Sequence, residues 1–176
     1  MTVTIRDERA TDVVAIEAVT VLAFLSAPHT SHTEERIVNC LRQAGKLALS
    51  LIAQADGTVI GHIAISPVSI SDGAASWFGM GPVSVRPEHQ RRGVGSRLVR
   101  EALRLLRARG AAGCVVLGEP EYYGRFGFKA DPGLVLRGVP PEYFQALAFG
   151  PRRPKGIVTY HEAFNAQEPT GAIGRP

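Results

Sequence analysis

The most constraining stretch of this 176-residue chain is 85–110, VRPEHQRRGVGSRLVREALRLLRARG. Leu98, Ala102, Leu105 and Leu106 recur at helical spacing, so a helix with one buried stripe is expected from Gly93 to about Arg109. Its beginning narrows the possibilities further. The first turn of any helix presents backbone N–H groups without intrahelical partners and carries the positive end of the helix dipole. Anions therefore bind there readily. Gly93 and Gly95 let the chain bend and remove side chains that would block a phosphate. Ser96 offers a hydroxyl donor, and Arg91 and Arg92 offer charge and forked donors that match phosphate oxygens. The segment QRRGVGS reads as a pyrophosphate cradle at a strand-to-helix turn.

Charge distribution agrees. Eight of the twenty Lys and Arg residues lie between Arg86 and Arg109, opposed there only by Glu88 and Glu101. Such a field favours a polyanion, either a phosphorylated cofactor or nucleic acid. Nucleic acid is the weaker reading, because the helix lacks interleaved aromatics and one face is apolar. The other arginines of the helix, Arg97, Arg100, Arg104 and Arg107, read as a solvated face, and Phe149 to Gly156 reads as a basic loop.

No segment has the roughly 18 uninterrupted apolar residues of a membrane span. The start, MTVTIRDERATD, lacks a basic start followed by an apolar block, so no secretory signal is expected. Cys40 and Cys114 read as small buried hydrophobes of a reducing compartment. The expected location is cytoplasmic. No metal is expected, because no Cys/His pair has ligand spacing.

The remaining elements follow in order. VTIRDE is a first strand. Thr11 or Asp12 can cap a helix to about Leu25 that carries Ile16, Val19 and Ala23 or Phe24. Ser31 with Glu34 suggests a capping box for a second helix, ended by Gly45. A three-strand meander follows, with a type I′ turn at Asp56-Gly57. Gly79, Gly81 and Pro82 in its third strand point to a bulge or a close approach. After the long helix, AGCVVLG is a buried strand parallel to its predecessor. EPEYYGRF is a short helix, and GFKAD and KGIVTYHEAF are strands. One α/β domain is expected over 1–165, with a loose tail at 166–176.

Three phosphate-binding loops compete for QRRGVGS. A P-loop would end in Gly-Lys-Ser/Thr, which is absent. A dinucleotide fingerprint needs a third glycine, where Leu98 stands, and the first strand of the fold. The third pattern, Gln/Arg-x-x-Gly-x-Gly/Ala after a meander, is present as Gln90, Gly93 and Gly95. This resembles the coenzyme A-binding motif of the GNAT superfamily of acyl-CoA N-acyltransferases. The resemblance runs from TIRDE to YHEAF. With GMGPVSVRPEHQRRGVGSRLV followed by YYGRFGF, it is most similar to the YhbS-like group of N-acetyltransferases.

The resemblance implies a mixed, mostly antiparallel sheet with helices on both faces and a splayed parallel strand pair. The pantetheine arm of acetyl-CoA, the acyl donor, would enter the splay and pair with Val83, Ser84 and Val85, with Gly81-Pro82 as the opening bulge. Gln90, Arg91, Arg92, Gly93, Val94, Gly95 and Ser96 would hold the phosphates. Tyr123, four residues before Gly127-Phe128, would protonate the departing thiolate. Its phenol, with an ordinary pKa of about 10, can donate to a thiolate of about 8.5. Tyr122 would point elsewhere. The N–H of Val85, or of its neighbour, would stabilise the oxyanion of the tetrahedral intermediate.

The implied acceptor is an amino group of a small molecule or of a protein. Its general base is not assigned. His62, His29, His32 and Glu35 are candidates, and a water chain is another. Glu119 stands where many superfamily members carry asparagine. Trp77 and Phe78 read as core or as the rim of the acceptor pocket. A module that binds CoA or acyl-CoA without transfer is the alternative function, and a homodimer is left open.

Overall fold

The structure, a computed structural model, describes residues 1–25, 27–28 and 30–165; the tail expected at 166–176 lies outside them. In chain order the regular elements are β1 (Val3–Asp7), α1 (Val13–Phe24), α2 (Glu34–Gln43), β2 (Leu49–Ala55), β3 (Thr58–Pro67), β4 (Ser69–Ile70) and β5 (Trp77–Val85). Then come α3 (Val94–Ala108), β6 (Gly113–Leu117), α4 (Pro120–Tyr123), β7 (Lys129–Ala130), β8 (Leu134–Val135), β9 (Phe144–Ala148) and β10 (Gly156–Thr159).

Seven strands form the main sheet in the order β1-β2-β3-β5-β6-β9-β7. The pairing is antiparallel except between β5 and β6. The β2–β3 hairpin closes at Asp56 (φ 48°) and Gly57 (φ 79°), the two positive angles that the type I′ turn requires. On one face of the sheet α3 buries Leu98, Val99, Ala102, Leu103 and Leu106 against Ile63, Ile65 and Met80. On the other face Ile16 of α1 and Val38 of α2 meet Ile52 and Ala64. The sheet is thus covered on both sides, as the resemblance implies.

Several local expectations change. Strand β9 was not anticipated: FQALA carries no strong strand signal, and its Gln145 is buried only because its side-chain amide donates to the Gly118 carbonyl (3.0 Å). The late strand KGIVTYHEAF shortens to β10, which leaves the main sheet and joins β4 and β8 in a second, three-stranded one. Helix α2 has Thr33, not Ser31, at its N-cap. Glu34 still reaches back to the Ser31 N–H (3.1 Å), which is half of the expected capping box. Asp12 does not cap α1 through its side chain; its carboxylate instead takes Arg6 (2.7 Å) and the Arg9 N–H (2.7 Å).

Among the described residues no helix is long and apolar enough to cross a membrane.

Candidate active site

The parallel pair β5–β6 ends early. Its register runs from Trp77↔Gly113 to Met80↔Val116 and stops. Along its other edge β5 continues against β3 to Gly61↔Val85, with a bulge where Gly81 and Pro82 face the single residue Ala64. Beyond Met80, then, β5 keeps one neighbour and loses the other.

The backbone of this unpaired end has a definite orientation. The Arg86 N–H donates to the Ile60 carbonyl (2.9 Å). Bonded residues alternate along an antiparallel strand, so Ser84 also faces β3, opposite His62. The backbone polar groups of Val83 and Val85 therefore face the gap. The Val85 carbonyl is already taken there by the Gln90 side chain (3.0 Å). Ser84 does not join them: its side chain is fully buried and turns to Thr20 of α1 (3.4 Å).

The turn into α3 lies directly after this strand end. Arg91 (φ 58°) and Gly93 (φ 81°) adopt left-handed backbone conformations, and Gly93 is the N-cap. The Gly93 carbonyl accepts from the Arg97 N–H (3.0 Å), so the N–H groups of Val94, Gly95 and Ser96 are left without helical partners. The Val94 side chain is core, which leaves only its backbone to a ligand. A Cβ on Gly95 would lie 2.8 Å from the Tyr122 hydroxyl, so a side chain fits in this turn only if that hydroxyl moves aside.

Most of the basic stripe is engaged by the protein itself. Arg86 donates to the Val59 carbonyl, Arg97 to that of Val3 and Arg109 to that of Ala48. Arg104 pairs with Glu101, while Arg100 and Arg107 lie over the rings of Phe126 and Phe149. Among the described residues Arg91 and Arg92 alone of this group are exposed and have no such partner. Two free guanidinium groups beside a helix start suit a compact polyphosphate better than an extended nucleic-acid backbone.

Helix α4 sends its two tyrosines in different directions. Tyr122 reaches the first turn of α3, under the Arg125 guanidinium 4.5 Å from its ring centroid. Tyr123 lies on Gly118 and edge-on to Phe128, and it lines a cleft of about 720 Å³. Met80, Pro82 and Val83 line the same cleft, so Tyr123 faces the place where β5 and β6 part. Burial, aided by Tyr122 and Cys114, holds the Tyr123 phenol well above its ordinary value of 10.0. It is a protonated donor at neutral pH.

The general-base candidates do not assemble. His62 is wholly buried on β3 and does not line the cleft; its Nε2 meets the Ser50 hydroxyl (2.8 Å). Burial lowers its imidazole to about 4, with Glu8 pulling it up and Arg42 down. His32 is exposed, and Glu35 lies beside Arg36 (3.9 Å) away from the cleft. His29 lies outside the described residues. Trp77 is core, buried against Gly113. Glu119 is the N-cap of α4 and is exposed. Among the described residues no cluster of three or more His, Cys, Asp or Glu could hold a metal ion.

Sequence reasoning pointed Tyr122 away from the site without placing it at the helix start, read Glu34 only as a capping residue and did not single out Tyr160. Only Tyr122 carried a local signal, its place one residue from Tyr123.

Residues 10–128 match the Acetyltransferase (GNAT) family. The chain is 36% identical over 159 residues to the uncharacterized N-acetyltransferase YhbS of Escherichia coli (strain K12), covering 86% of this chain and 95% of that protein. It is similar to the crystal structure of a GNAT family acetyltransferase from Brucella melitensis in complex with acetyl-CoA (48% identity, TM-score 0.83, 93% of this chain and 98% of that one). It is also similar to the Escherichia coli YhbS structure in complex with CoA (34% identity, TM-score 0.86, 93% and 92%).

Proposed function

The chain belongs to the acetyltransferase (GNAT) family, and from that premise we propose that it moves the acetyl group of acetyl-CoA to an amino group by direct attack. The observation that carries this reading is the end of β5–β6 pairing at Met80, immediately before a helix start with free N–H groups and two free arginines. A strand with one open edge can pair with an amide-bearing pantetheine arm. The turn a few residues later can take a pyrophosphate. Two similar proteins crystallised with acetyl-CoA and with CoA support the same ligand here.

In this reading the N–H groups of Val94, Gly95 and Ser96, with Arg91 and Arg92, hold the phosphates. Gln90 braces the turn against Val85. The open backbone groups of Val83 and Val85 hold the arm, and an N–H on this edge is the oxyanion donor in this reading, with Val83 rather than Val85 lining the cleft that holds Tyr123. Ser84 contributes through its place in the strand, not through its side chain. The acceptor attacks as the neutral amine, its ammonium form having released one proton to solvent, and adds to the thioester carbonyl to give a tetrahedral intermediate. Collapse of that intermediate breaks the C–S bond; Tyr123 donates a proton to the departing sulfur, and the proton then lost by nitrogen returns through solvent to the phenol. A module that only senses CoA would need the cradle but no phenol at the splay. Tyr123 therefore supports transfer over sensing.

The test is thermal unfolding with and without acetyl-CoA, with ATP and NAD as controls. Saturation at about 100 times Kd adds about 2.7 kcal/mol, a Tm rise of roughly 5–10 °C for a chain of this size. A rise with acetyl-CoA alone is expected. An equal rise with all three compounds would reduce the site to a general anion site, and no rise would remove the reading.

A further inference from the structure

Among the described residues, few buried side-chain polar atoms lack a hydrogen-bond partner, and two of those, Glu34 Oε2 and the Tyr160 hydroxyl, belong to residues lining the same cleft. Glu34 is only 9% exposed. Its other oxygen is fully used, accepting from the Thr30 hydroxyl (2.5 Å), the Ser31 N–H (3.1 Å) and the Ser31 hydroxyl (3.3 Å). The carboxylate is thus held still with one oxygen left over. Tyr160 is equally fixed. Its ring fills the space a side chain at Gly79 would need and packs on Phe164 with centroids 4.9 Å apart. A buried polar atom without a partner is costly; both atoms are closed to water within residues of the cleft wall, so a ligand that completes them must displace a neighbouring side chain.

The rest of the lining decides what kind of ligand. Phe24, Ile37, Met80, Leu117, Val139 and Phe164 make the wall predominantly apolar. Among the described residues Glu34 is its one acid, and Arg137 and His161 are its basic side chains. A single fixed carboxylate in apolar surroundings favours one cationic group and penalises any further unpaired charge. A polyamine or an aminoglycoside would bring several ammonium groups to one carboxylate, with Arg137 opposing the remainder. A free α-amino acid would bring its own carboxylate next to that of Glu34, a repulsion that the exposed Arg137 offsets only if it reaches across the cleft.

We infer that the acceptor is a primary amine on a single apolar body, its ammonium bound by Glu34 Oε2 and the Tyr160 hydroxyl serving as a second polar contact. Glu34 is then a specificity-determining residue of the acetyl transfer proposed above, and the inference rests on that reading. The signal could not be read locally, because Glu34 also carries the marks of a helix-capping residue.

The experiment separates donor from acceptor. Calorimetry measures acetyl-CoA and 2-phenylethylamine separately on the wild type, Glu34→Gln and Tyr160→Phe. Steady-state rates then compare 2-phenylethylamine with spermidine, kanamycin and leucine. Gln keeps an oxygen for Thr30 and Ser31, and Phe removes only the unpartnered hydroxyl, so one variant backs up the other if folding fails. The expected result is a preference of about tenfold or more in kcat/KM for 2-phenylethylamine. Glu34→Gln should raise its Kd and KM by about tenfold or more, Tyr160→Phe should raise them by less, and acetyl-CoA affinity should not change. A preference for spermidine, kanamycin or leucine overturns the inference. So does an amine affinity that is undetectable in the wild type or unmoved in both variants. A protein that binds the amine through Glu34 but not acetyl-CoA would sink the transfer reading and with it the acceptor role, whereas intact acetyl-CoA binding without amine binding would overturn this inference alone.

Discussion

The Gln90 side-chain amide donates to the Val85 carbonyl at 3.0 Å, tying the turn before α3 to the unpaired end of β5. Two surfaces that a single ligand would have to bridge are thereby held in fixed relation. Gln90 itself is exposed, so it adds little to the core. Gln90→Ala should leave the fold intact and weaken acetyl-CoA binding by about five- to tenfold, the worth of one hydrogen bond. Titration calorimetry checks this, and an unchanged Kd would show that the turn keeps its shape without the brace.

Gly95 separates stability from binding. An added Cβ would meet the Tyr122 hydroxyl at 2.8 Å, and that hydroxyl is the far end of a side chain that can swing aside. Alanine also favours a helix over glycine by about 1 kcal/mol. Gly95→Ala should therefore unfold at the same or a higher temperature while losing about tenfold or more in acetyl-CoA affinity, because the methyl group occupies the phosphate's approach. A variant that loses stability and binding together would mean that the glycine serves packing alone.

Tyr123 provides the kinetic test. Its phenol is protonated and faces the splay. Tyr123→Phe keeps the ring on Gly118 and Phe128 and removes only the hydroxyl. The expected loss is about a hundredfold in kcat, within the range for a general acid, with acetyl-CoA affinity nearly unchanged. Unaltered turnover would remove Tyr123 from the mechanism.

His62 predicts a pH dependence of stability. Burial holds its folded imidazole at about 4 against an ordinary 6.5. Below pH 6.5 the unfolded chain binds a proton that the folded chain refuses, so stability is fully present above that value and falls as the pH drops toward 4. The loss is on the order of 3 kcal/mol. Urea unfolding across this window should show the slope in the wild type and flatten it in His62→Asn. Burial alone would raise Glu8, but its bonds to Arg42 and Ser50 prevail and hold it below its ordinary 4.5. Its contribution is lost only as the pH falls below that value, so the two effects separate. A wild-type midpoint that stays level between pH 6.5 and 4.5 would contradict the buried, neutral histidine.

Much of this architecture is legible in short stretches. The stripe of α3, the positive angles of Asp56-Gly57 and the bulge at Gly81-Pro82 each depend on neighbours within a few residues. The helix start needs only its own backbone amides and the absence of a Cβ on Gly95. Tyr123 was singled out by the family resemblance at YYGRFGF, and its side chain lines the cleft.

Other features had no local cause to read. Strand β9 is a strand because β6 offers it an edge, although FQALA alone shows little preference for one. Ser84 lies within the stretch expected to face a ligand, yet its backbone faces β3 and α1 claims its hydroxyl. Tyr160 meets Gly79, and Glu34 meets the same cleft from α2, across distances in sequence that no periodicity spans. Backbone angles, helix polarity and apolar spacing are properties of adjacent residues, so the sequence by itself determined the start of α3 and most of the helices and strands around it. Which strand ends remain unpaired, and which buried polar atoms are left for a ligand, depends on how distant segments divide a limited set of partners. Only the tertiary structure decided that.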